Sequence, residues 1–436
     1  MNKKRKKRRD KKPKMVKSSN KWKKITFAIV GLLVIIIITL EITSIKFFNS
    51  SQSNTSIRSV SLEPDDIEKS IELAAKYLEK ATKANGMFEY RINMDPSIQL
   101  SEKYNILRHA GSIYAMYMYY KMFPDENIYS AIERAGRYLR DDAILPIQGE
   151  DGMSGIWSIP EVNKNSDILQ VKLGGVGLGL VALISIENIQ PGFTSLSDLR
   201  ALGRFLVYMQ KEDGSFCSKY IPSEGGRQDK WTSLYYPGEA ALGLSMLYEK
   251  DPSKIWLETA YKTLEYLARI RENETNIPAD HWALLATEKI LSLKNLNELL
   301  MSRTLLIRHA IQICERMLQD QVNDPKRWEY DGGFAEDGRT TPTATRLEGL
   351  LAALSFLPPN NSIVEHIESS VDRGMNFILR SQIREGTYVG AIPRAIAPLS
   401  GSSSKVKNFN QRATEVRIDY VQHALSAMIQ YLKLTK

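Results

Sequence analysis

The stretch LGGVGLGLVALI, residues 173–184, contains no charged side chain. A helix that is apolar all round cannot face water, so this stretch predicts a helix surrounded by other protein. Residues 196–211, which follow it, place apolar side chains at helical spacing between polar ones. That pattern is typical of a helix that buries one face only. The two segments together predict an inner helix and an outer helix joined by a turn.

The same pair of segments recurs six times. The apolar segments are RHAGSIYAMYMYY from Arg108, LGGVGLGLVALI from Leu173, YYPGEAALGLSMLY from Tyr235, DHWALLATEKIL from Asp280, TATRLEGLLAALSFL from Thr343 and RATEVRIDYVQHALSAMI from Arg412. The amphipathic segments are approximately residues 64–83, 126–142, 196–211, 253–272, 301–320 and 362–382. Six apolar helices require a ring of six amphipathic helices around them. We therefore predict an all-α fold over residues 64–436, an (α/α)6 toroid with essentially no sheet. An open solenoid of helix pairs is the alternative, and it is disfavoured because polar terminal caps are not evident.

A second repeat precedes the inner helices and carries a family resemblance. Turns such as Asp213-Gly214-Ser215-Phe216 and Asp331-Gly332-Gly333-Phe334 place glycine after an acidic residue and an aromatic soon afterwards. The segment LVYMQKEDGSF, residues 206–216, resembles the Gln-plus-aromatic repeat of terpenoid cyclases and protein prenyltransferases. The alternation as a whole resembles six-hairpin glycosidases, polysaccharide lyases and sugar epimerases. This resemblance implies the ring and says little about chemistry.

The N-terminal segment has a different composition from the ring. Residues 3–24 hold fourteen Lys and Arg against one acid, and the next sixteen residues carry no charge. The chain is formally +9, so the +13 of this tail leaves the remainder about −4. We predict a basic cytoplasmic tail over 1–24 that contacts anionic lipid, a transmembrane signal anchor over 25–45 and a stalk over 46–63. The protein would cross the cell membrane once, with its bulk outside the cytoplasm. A cleaved signal peptide is the alternative, but no Ala-x-Ala site follows. Nucleic-acid binding by the tail is the disfavoured alternative, because no aromatic spacing or folded platform accompanies it.

Several reaction classes are disfavoured by missing motifs. The two cysteines, Cys217 and Cys314, form neither a metal-ligand spacing nor a disulfide framework, although one disulfide is possible. No Asp-x-Asp-Asp motif appears, so terpenoid cyclisation is disfavoured. A prenyltransferase zinc site is disfavoured because neither cysteine lies on an inner helix. We predict no metal and no cofactor.

The candidate site follows from the alternation. In such a toroid all inner helices run in the same direction, so their N-termini meet at one mouth. Polar groups on these apolar helices are costly to bury unless they are paired or wet. The candidate acid, base or nucleophile groups are Glu239, Glu348, Asp419, His109, His281 and Tyr236. The candidate substrate-binding groups are Arg108, Arg346, Arg417, Trp282 and Trp231.

Two enzyme mechanisms and two non-enzymatic interpretations remain open. In a hydrolase, two of the three carboxylates would act as acid and base. In a lyase or C5-epimerase, a histidine or Tyr236 would abstract a proton and an arginine would neutralise the developing charge. Helix dipoles and arginines favour an acidic ligand, so the sequence predicts an enzyme for an acidic envelope or exported glycan. Alternatively, the charges form structural ion pairs, Asp280 only caps its helix and the glycines from Gly174 onward only permit close packing. In a separate alternative the protein is a non-catalytic glycan-binding or assembly subunit of an envelope machine, which keeps the aromatics and arginines but needs no correctly spaced acid pair.

Overall fold

The computed structural model describes residues 62–164, 168–293 and 302–436. The predicted tail, membrane span and nearly all of the stalk lie outside these residues. Across the described ranges, no helix combines the length and the apolar character needed to cross a membrane. Residues Val60–Lys436 form one compact unit.

Twelve long helices build a closed double ring. The inner helices are α2 (Ile106–Met122), α5 (Leu173–Glu187), α7 (Tyr236–Lys250), α9 (His281–Ser292), α11 (Thr340–Leu354) and α14 (Ile418–Thr435). The outer helices are α1 (Pro64–Ala81), α3 (Glu126–Arg137), α6 (Leu196–Met209), α8 (Lys254–Arg271), α10 (Arg303–Gln319) and α12 (Ile363–Ser381). Each inner helix packs against the next, and α14 packs against α11, α1 and α2. The predicted toroid is confirmed, and the open solenoid is excluded because the ring closes.

Burial explains the difference between the two helix types. In α5 every residue from Leu173 to Ile186 is buried, whereas α1 buries one stripe that includes Ile67, Ile71 and Leu78. The glycines of α5 allow close helix contact. A Cβ on Gly177 would lie 2.6 Å from the backbone carbonyl of Glu239. These glycines are therefore packing residues.

The glutamine of the Gln-plus-aromatic repeat connects neighbouring outer helices. The side-chain amide of Gln210 donates to the Thr259 carbonyl of α8 at 2.9 Å. Gln321 donates in the same way to Ser370 of α12 at 2.8 Å, and Gln382 donates to Ser70 of α1 at 2.9 Å. The turn glycine that follows Gln210 is Gly214, which has a φ of +93° and lies against the Lys262 carbonyl of α8. The repeat therefore fastens each of these outer helices to the next, and Gln382 fastens the last to the first.

The connections into the inner helices contain short strands, and this corrects the prediction of essentially no sheet. The strands are β1 (Arg91–Asn93), β2 (Ile144–Pro146), β3 (Ser154–Ser158), β4 (Gln170–Lys172), β5 (Lys219–Ile221), β6 (Gly226–Gln228) and β7 (Glu415–Arg417). Strands β2 to β6 form one antiparallel sheet in chain order, and β1 pairs with β7. Because β4 ends where α5 begins and β7 ends where α14 begins, the strands lie at the mouth. Most have three residues, too few for an alternating pattern to show in the sequence.

Three smaller features differ from the sequence prediction or were left open by it. A four-residue helix, α4 (Pro160–Asn163), and a longer one, α13 (Ser404–Ala413), lie in the connections. The sixth inner helix begins at Ile418 rather than at Arg412, because Arg412 belongs to α13 and β7 intervenes. The two cysteines are buried and unpaired.

Candidate active site

The N-terminal ends of the inner helices surround a cavity of about 510 Å³, and all six helices contribute to its wall. Eight of the predicted site residues line it: Arg108, Tyr236, Glu239, His281, Trp282, Arg346, Arg417 and Asp419. Six arginines line the cavity against two carboxyl groups, so basic groups outnumber acidic groups on its wall.

His109 does not lie in this cavity, which corrects its prediction as a site residue. Its Nδ1 lies 2.8 Å from the Tyr104 hydroxyl and its Nε2 lies 2.9 Å from the Ala135 carbonyl. Neighbouring residues of a helix point about 100° apart, so Arg108 faces the cavity while His109 faces α3. Burial lowers the pKa of His109 to about 4. We conclude that His109 is a satisfied core histidine.

Glu348 and Trp231 also lie outside the cavity wall. Helix α11 begins at Thr340, earlier than predicted, so Glu348 falls in its third turn and is buried behind His423. Trp231 is about half exposed, and its ring packs edge-on against Tyr236 at a centroid distance of 5.8 Å. Trp231 therefore flanks the mouth rather than lining it.

His281 is a buried base whose Nε2 lies 3.9 Å from Glu348 Oε2, beyond hydrogen-bonding distance. Its ring lies 5.6 Å from the ring of His423 and 5.0 Å from that of Tyr235, centroid to centroid. Neither ring nitrogen is hydrogen-bonded to any described residue. Burial, and then the charges of His423 and Arg346, hold the pKa of His281 well below its ordinary value. A neutral imidazole with a free lone pair can accept a proton from a bound molecule.

His423 and Glu348 form a proton-holding pair beside it. His423 Nδ1 lies 2.7 Å from Glu348 Oε2. Burial lowers the pKa of His423, but the charge of Glu348 and the hydrogen bond to it outweigh burial and raise that pKa above its ordinary value. Burial also raises the pKa of Glu348. At 2.7 Å the two atoms share a proton between them, so a proton lies close to the unprotonated ring of His281.

Asp419 is fixed by two arginines. Arg108 Nε lies 2.9 Å from Asp419 Oδ2, and the Arg417 guanidinium binds both carboxylate oxygens of Asp419. Burial raises the pKa of Asp419, but the two guanidinium charges outweigh burial and lower it overall. Asp419 is therefore an anchor for the arginines. The ion pairs that the structural interpretation expects are therefore present in this group of three residues.

Glu239 is the cavity carboxyl group without an ion pair among the described residues. Its Oε2 is buried and has no hydrogen-bond partner there, and Gly174 leaves the space that the carboxyl group occupies. Burial, and then the charge of Asp280, raise the pKa of Glu239 to about 8. Glu239 is therefore mostly protonated at neutral pH.

Glu239→Gln should change how stability depends on pH. An acid whose pKa is raised by folding contributes stability that is full below its unfolded pKa and lost as the pH rises to the folded pKa. Wild type should therefore lose stability through Glu239 between about pH 4.5 and about pH 8. Glutamine cannot ionise, so the variant should lose less. Melting temperatures across this range test the expectation, and two parallel curves would contradict it.

The remaining polar groups have structural partners. Arg346 Nη2 lies 2.9 Å from Asp320 Oδ2, and its Nε has no partner among the described residues. Asp280 accepts from the backbone N–H of Ala283 and lies 2.8 Å from Arg271. The prediction that Asp280 caps its helix is therefore confirmed.

The side chains of His281, Glu348 and His423 could together hold a metal ion. The donor atoms of His281, Glu348 and His423 lie within 4.8 Å of one another, and two histidines with a carboxylate form a known ligand set. However, Glu348 already accepts a hydrogen bond from His423, and six arginines nearby repel a cation. That no metal or cofactor is needed stays a prediction.

The sequence places His423 at the same inner-helix mouth as Asp419, one turn further on, but does not single it out as a catalytic or binding candidate. Sequence reasoning missed another part of the site. Arg339, Arg394 and Arg412 also line the cavity, but they lie outside the inner helices. No helical periodicity marks these three residues.

The fold places the chain among (α/α)6 toroid proteins, and comparison with solved structures supports this. Neither a protein-family model nor a curated protein sequence matches the chain. Similar structures include a cellobiose 2-epimerase from Bacillus thermoamylovorans, with TM-score 0.63 and 11% identity over 85% of this chain and 99% of that one. A sugar epimerase from a ruminal bacterium has TM-score 0.60 and 11% identity, over 86% and 100%. An unsaturated glucuronyl hydrolase specific for heparin has TM-score 0.58 and 11% identity, over 85% and 97%. At these identities the likeness shows the fold alone.

Proposed function

We propose that this protein is a carbohydrate-active enzyme that moves a proton at the carbon next to a carboxylate in an acidic glycan. The observation that carries the proposal is the pairing of His281 with the His423–Glu348 pair. One side chain accepts a proton and its neighbour holds one, inside an arginine-lined cavity. The reaction would be C5-epimerisation or β-elimination of a uronic acid unit.

The chemistry assigns a step to each group. His281 takes the proton from the carbon next to the carboxylate, and the electron pair of that C–H bond moves into the carboxylate. An arginine of the cavity stabilises the added negative charge. In epimerisation the His423–Glu348 pair gives a proton to the opposite face of that carbon, and the electron pair moves back from the carboxylate to form the new C–H bond. In elimination the electron pair moves back to form a double bond to the adjacent carbon, the bond from that carbon to the glycosidic oxygen breaks, and the His423–Glu348 pair protonates the oxygen.

The arrangement of the carboxyl groups supports proton transfer over hydrolysis. A glycosidase needs two carboxyl groups that flank the scissile bond, but Asp419 is bound by two arginines and Glu348 lies behind His423. The similar structures do not decide between the two reactions, because three are described as epimerases and two as hydrolases. Hydrolysis is the second candidate, because Glu239 is protonated at neutral pH and could act as a general acid.

Solvent deuterium tests the reaction directly. The purified protein is incubated in deuterated water with a panel of acidic polysaccharides, and the recovered sugars are analysed by NMR and mass spectrometry. Deuterium at C5 with inverted configuration indicates epimerisation, and a new carbon–carbon double bond indicates elimination. Shorter chains without either change would indicate hydrolysis. No change in any polysaccharide would favour the non-catalytic glycan-binding interpretation.

We further propose that the toroid is held outside the cytoplasm by an anchor over residues 25–45. The uncharged segment and the basic block before it support this location. Protease added to intact cells should remove the toroid and leave a small N-terminal fragment, detectable with an antibody to the tail. Recovery of a mature soluble protein that begins near Asn54 would show that the segment is a cleaved signal.

A further inference from the structure

Three arginines of the cavity wall lie outside the inner helices and converge at one side of the mouth. Arg339 directly precedes α11, Arg412 lies in α13, and Arg394 lies in the connection between α12 and α13. Backbone hydrogen bonds hold these segments together. The N–H of Thr340 donates to the Arg394 carbonyl at 3.0 Å, and the N–H of Arg394 donates to the Glu415 carbonyl at 2.7 Å. The cluster is therefore a fixed part of the wall.

The acids nearby neutralise only part of this cluster. Arg339 pairs with Asp337 at 2.8 Å and Arg412 pairs with Glu415 at 3.1 Å. Arg394 forms no ion pair with any described residue. Its guanidinium lies 4.7 Å from the Phe409 ring centroid and 3.5 Å from the Phe409 carbonyl. Burial, and then the charges of Arg412 and Arg339, lower the pKa of Arg394. Gathering like charges around a half-buried guanidinium is unfavourable unless an anion joins them.

The cluster lies on the opposite side of the ring from a set of aromatic and basic side chains. Arg339, Arg394 and Arg412 flank α11 and α14, which are the fifth and sixth inner helices. The connections to the second and third inner helices carry Lys172, Lys219 and Trp231. In a ring of six, these two sides face each other across the mouth. His281 and His423 project from the fourth and sixth inner helices into the cavity between them.

We propose that Arg339, Arg394 and Arg412 form a second anion subsite, which binds the acidic group of one unit of a chain while another unit lies at His281 and His423. Anion binding by the three arginines needs no reaction. Only the placement of the other unit at His281 and His423 rests on the proposed function. The ligand is a chain with an acidic group on successive units. Carboxylate and phosphate groups share the chemistry that a guanidinium recognises.

Calorimetric titration of the purified protein tests the subsite without turnover. The probes are galacturonate and its linear trimer, and glycerol phosphate and its linear trimer. The variants are Arg394→Gln and a control, Arg269→Gln, which removes the same charge from an exposed pair on α8. The trimer of at least one series should bind wild type about tenfold or more tightly than its single unit. Arg394→Gln should abolish most of that advantage, and Arg269→Gln should keep it.

Tighter binding of the galacturonate trimer than of galacturonate would identify carboxylate as the ligand group. Tighter binding of the glycerol phosphate trimer than of glycerol phosphate would identify phosphate. Equal binding of trimer and single unit to wild type in both series would overturn the subsite, and so would equal losses in the two variants. The deuterium experiment separates this result from the proposed reaction. An absent reaction with an Arg394-dependent trimer advantage supports the subsite alone. Deuterium incorporation that Arg394→Gln leaves unchanged, together with unchanged trimer binding, supports the reaction alone.

Discussion

His281→Gln is expected to lower the rate of proton exchange with solvent by about a hundredfold or more, which is the usual contribution of a positioned general base. Glutamine occupies a similar volume but offers no basic nitrogen. Because neither nitrogen of His281 is bonded to a described residue, the substitution removes no described hydrogen bond. The melting temperature should therefore change little. Deuterium incorporation under single-turnover conditions gives the rate, and thermal unfolding gives the stability.

His366→Gln is the matched control for this experiment. His366 lies exposed on the outer helix α12, where its Nδ1 contacts the Ser362 carbonyl. Its replacement should leave both the rate and the stability unchanged. A full exchange rate in His281→Gln would exclude His281 as the base.

Asp419→Ala is expected to cost about 3 kcal/mol of unfolding free energy, at the lower end of the range for breaking a buried ion pair. The side chain of Asp419 is 6% exposed, and its two arginines are 33% and 17% exposed. Removing the carboxylate leaves both guanidinium groups near each other without a counter-charge. Chemical denaturation at neutral pH measures the loss. Asp337→Ala, which breaks the more exposed pair with Arg339, should cost less than about 1 kcal/mol.

The ion pairs of Asp419 with Arg108 and Arg417 should also make the stability of the protein sensitive to acid. Because folding lowers the pKa of Asp419, its contribution to stability is full above the unfolded pKa of about 4. It is lost as the pH falls through the lower folded pKa. Wild type should therefore lose more stability than Asp419→Ala on acidification below about pH 4. Equal losses on acidification, or an unchanged unfolding free energy at neutral pH, would show that Asp419 does not stabilise the ring through these pairs.

The ring itself could be predicted from the sequence because its signal is long and repeated. The burial of α5 and the single apolar stripe of α1 are direct results of residue order, and twelve such segments determine the topology. The strands at the mouth could not be predicted. A strand such as Gln170–Lys172 is stabilised by partners from elsewhere in the chain, and its own three residues carry no pattern.

The site could be predicted only as far as helical geometry reaches. The common direction of the inner helices brings Arg108, Glu239 and His281 to one cavity although they are far apart in sequence. The side that each residue faces depends on where its helix begins. Because α11 begins at Thr340 instead of Thr343, Glu348 lies deeper along the helix and outside the cavity wall. His109 follows Arg108 on α2, and its side chain faces α3 instead of the cavity. Arg394 lies in an irregular connection, where no periodicity applies.

The closure of the ring has a consequence for biogenesis. Helix α14 fills the gap between α11 and α2 and also covers α1, and Gln382 joins Ser70 across 312 residues. Ribosomes synthesise the chain from its N-terminus, so α1 is made early, whereas α14, which packs against it, is made last. Until then the apolar flanks of α1, α2 and α11 lack that cover. Contacts this distant in sequence slow folding, and the unfinished intermediate is prone to aggregation. The newly made chain should therefore depend on a chaperone until its last inner helix has docked.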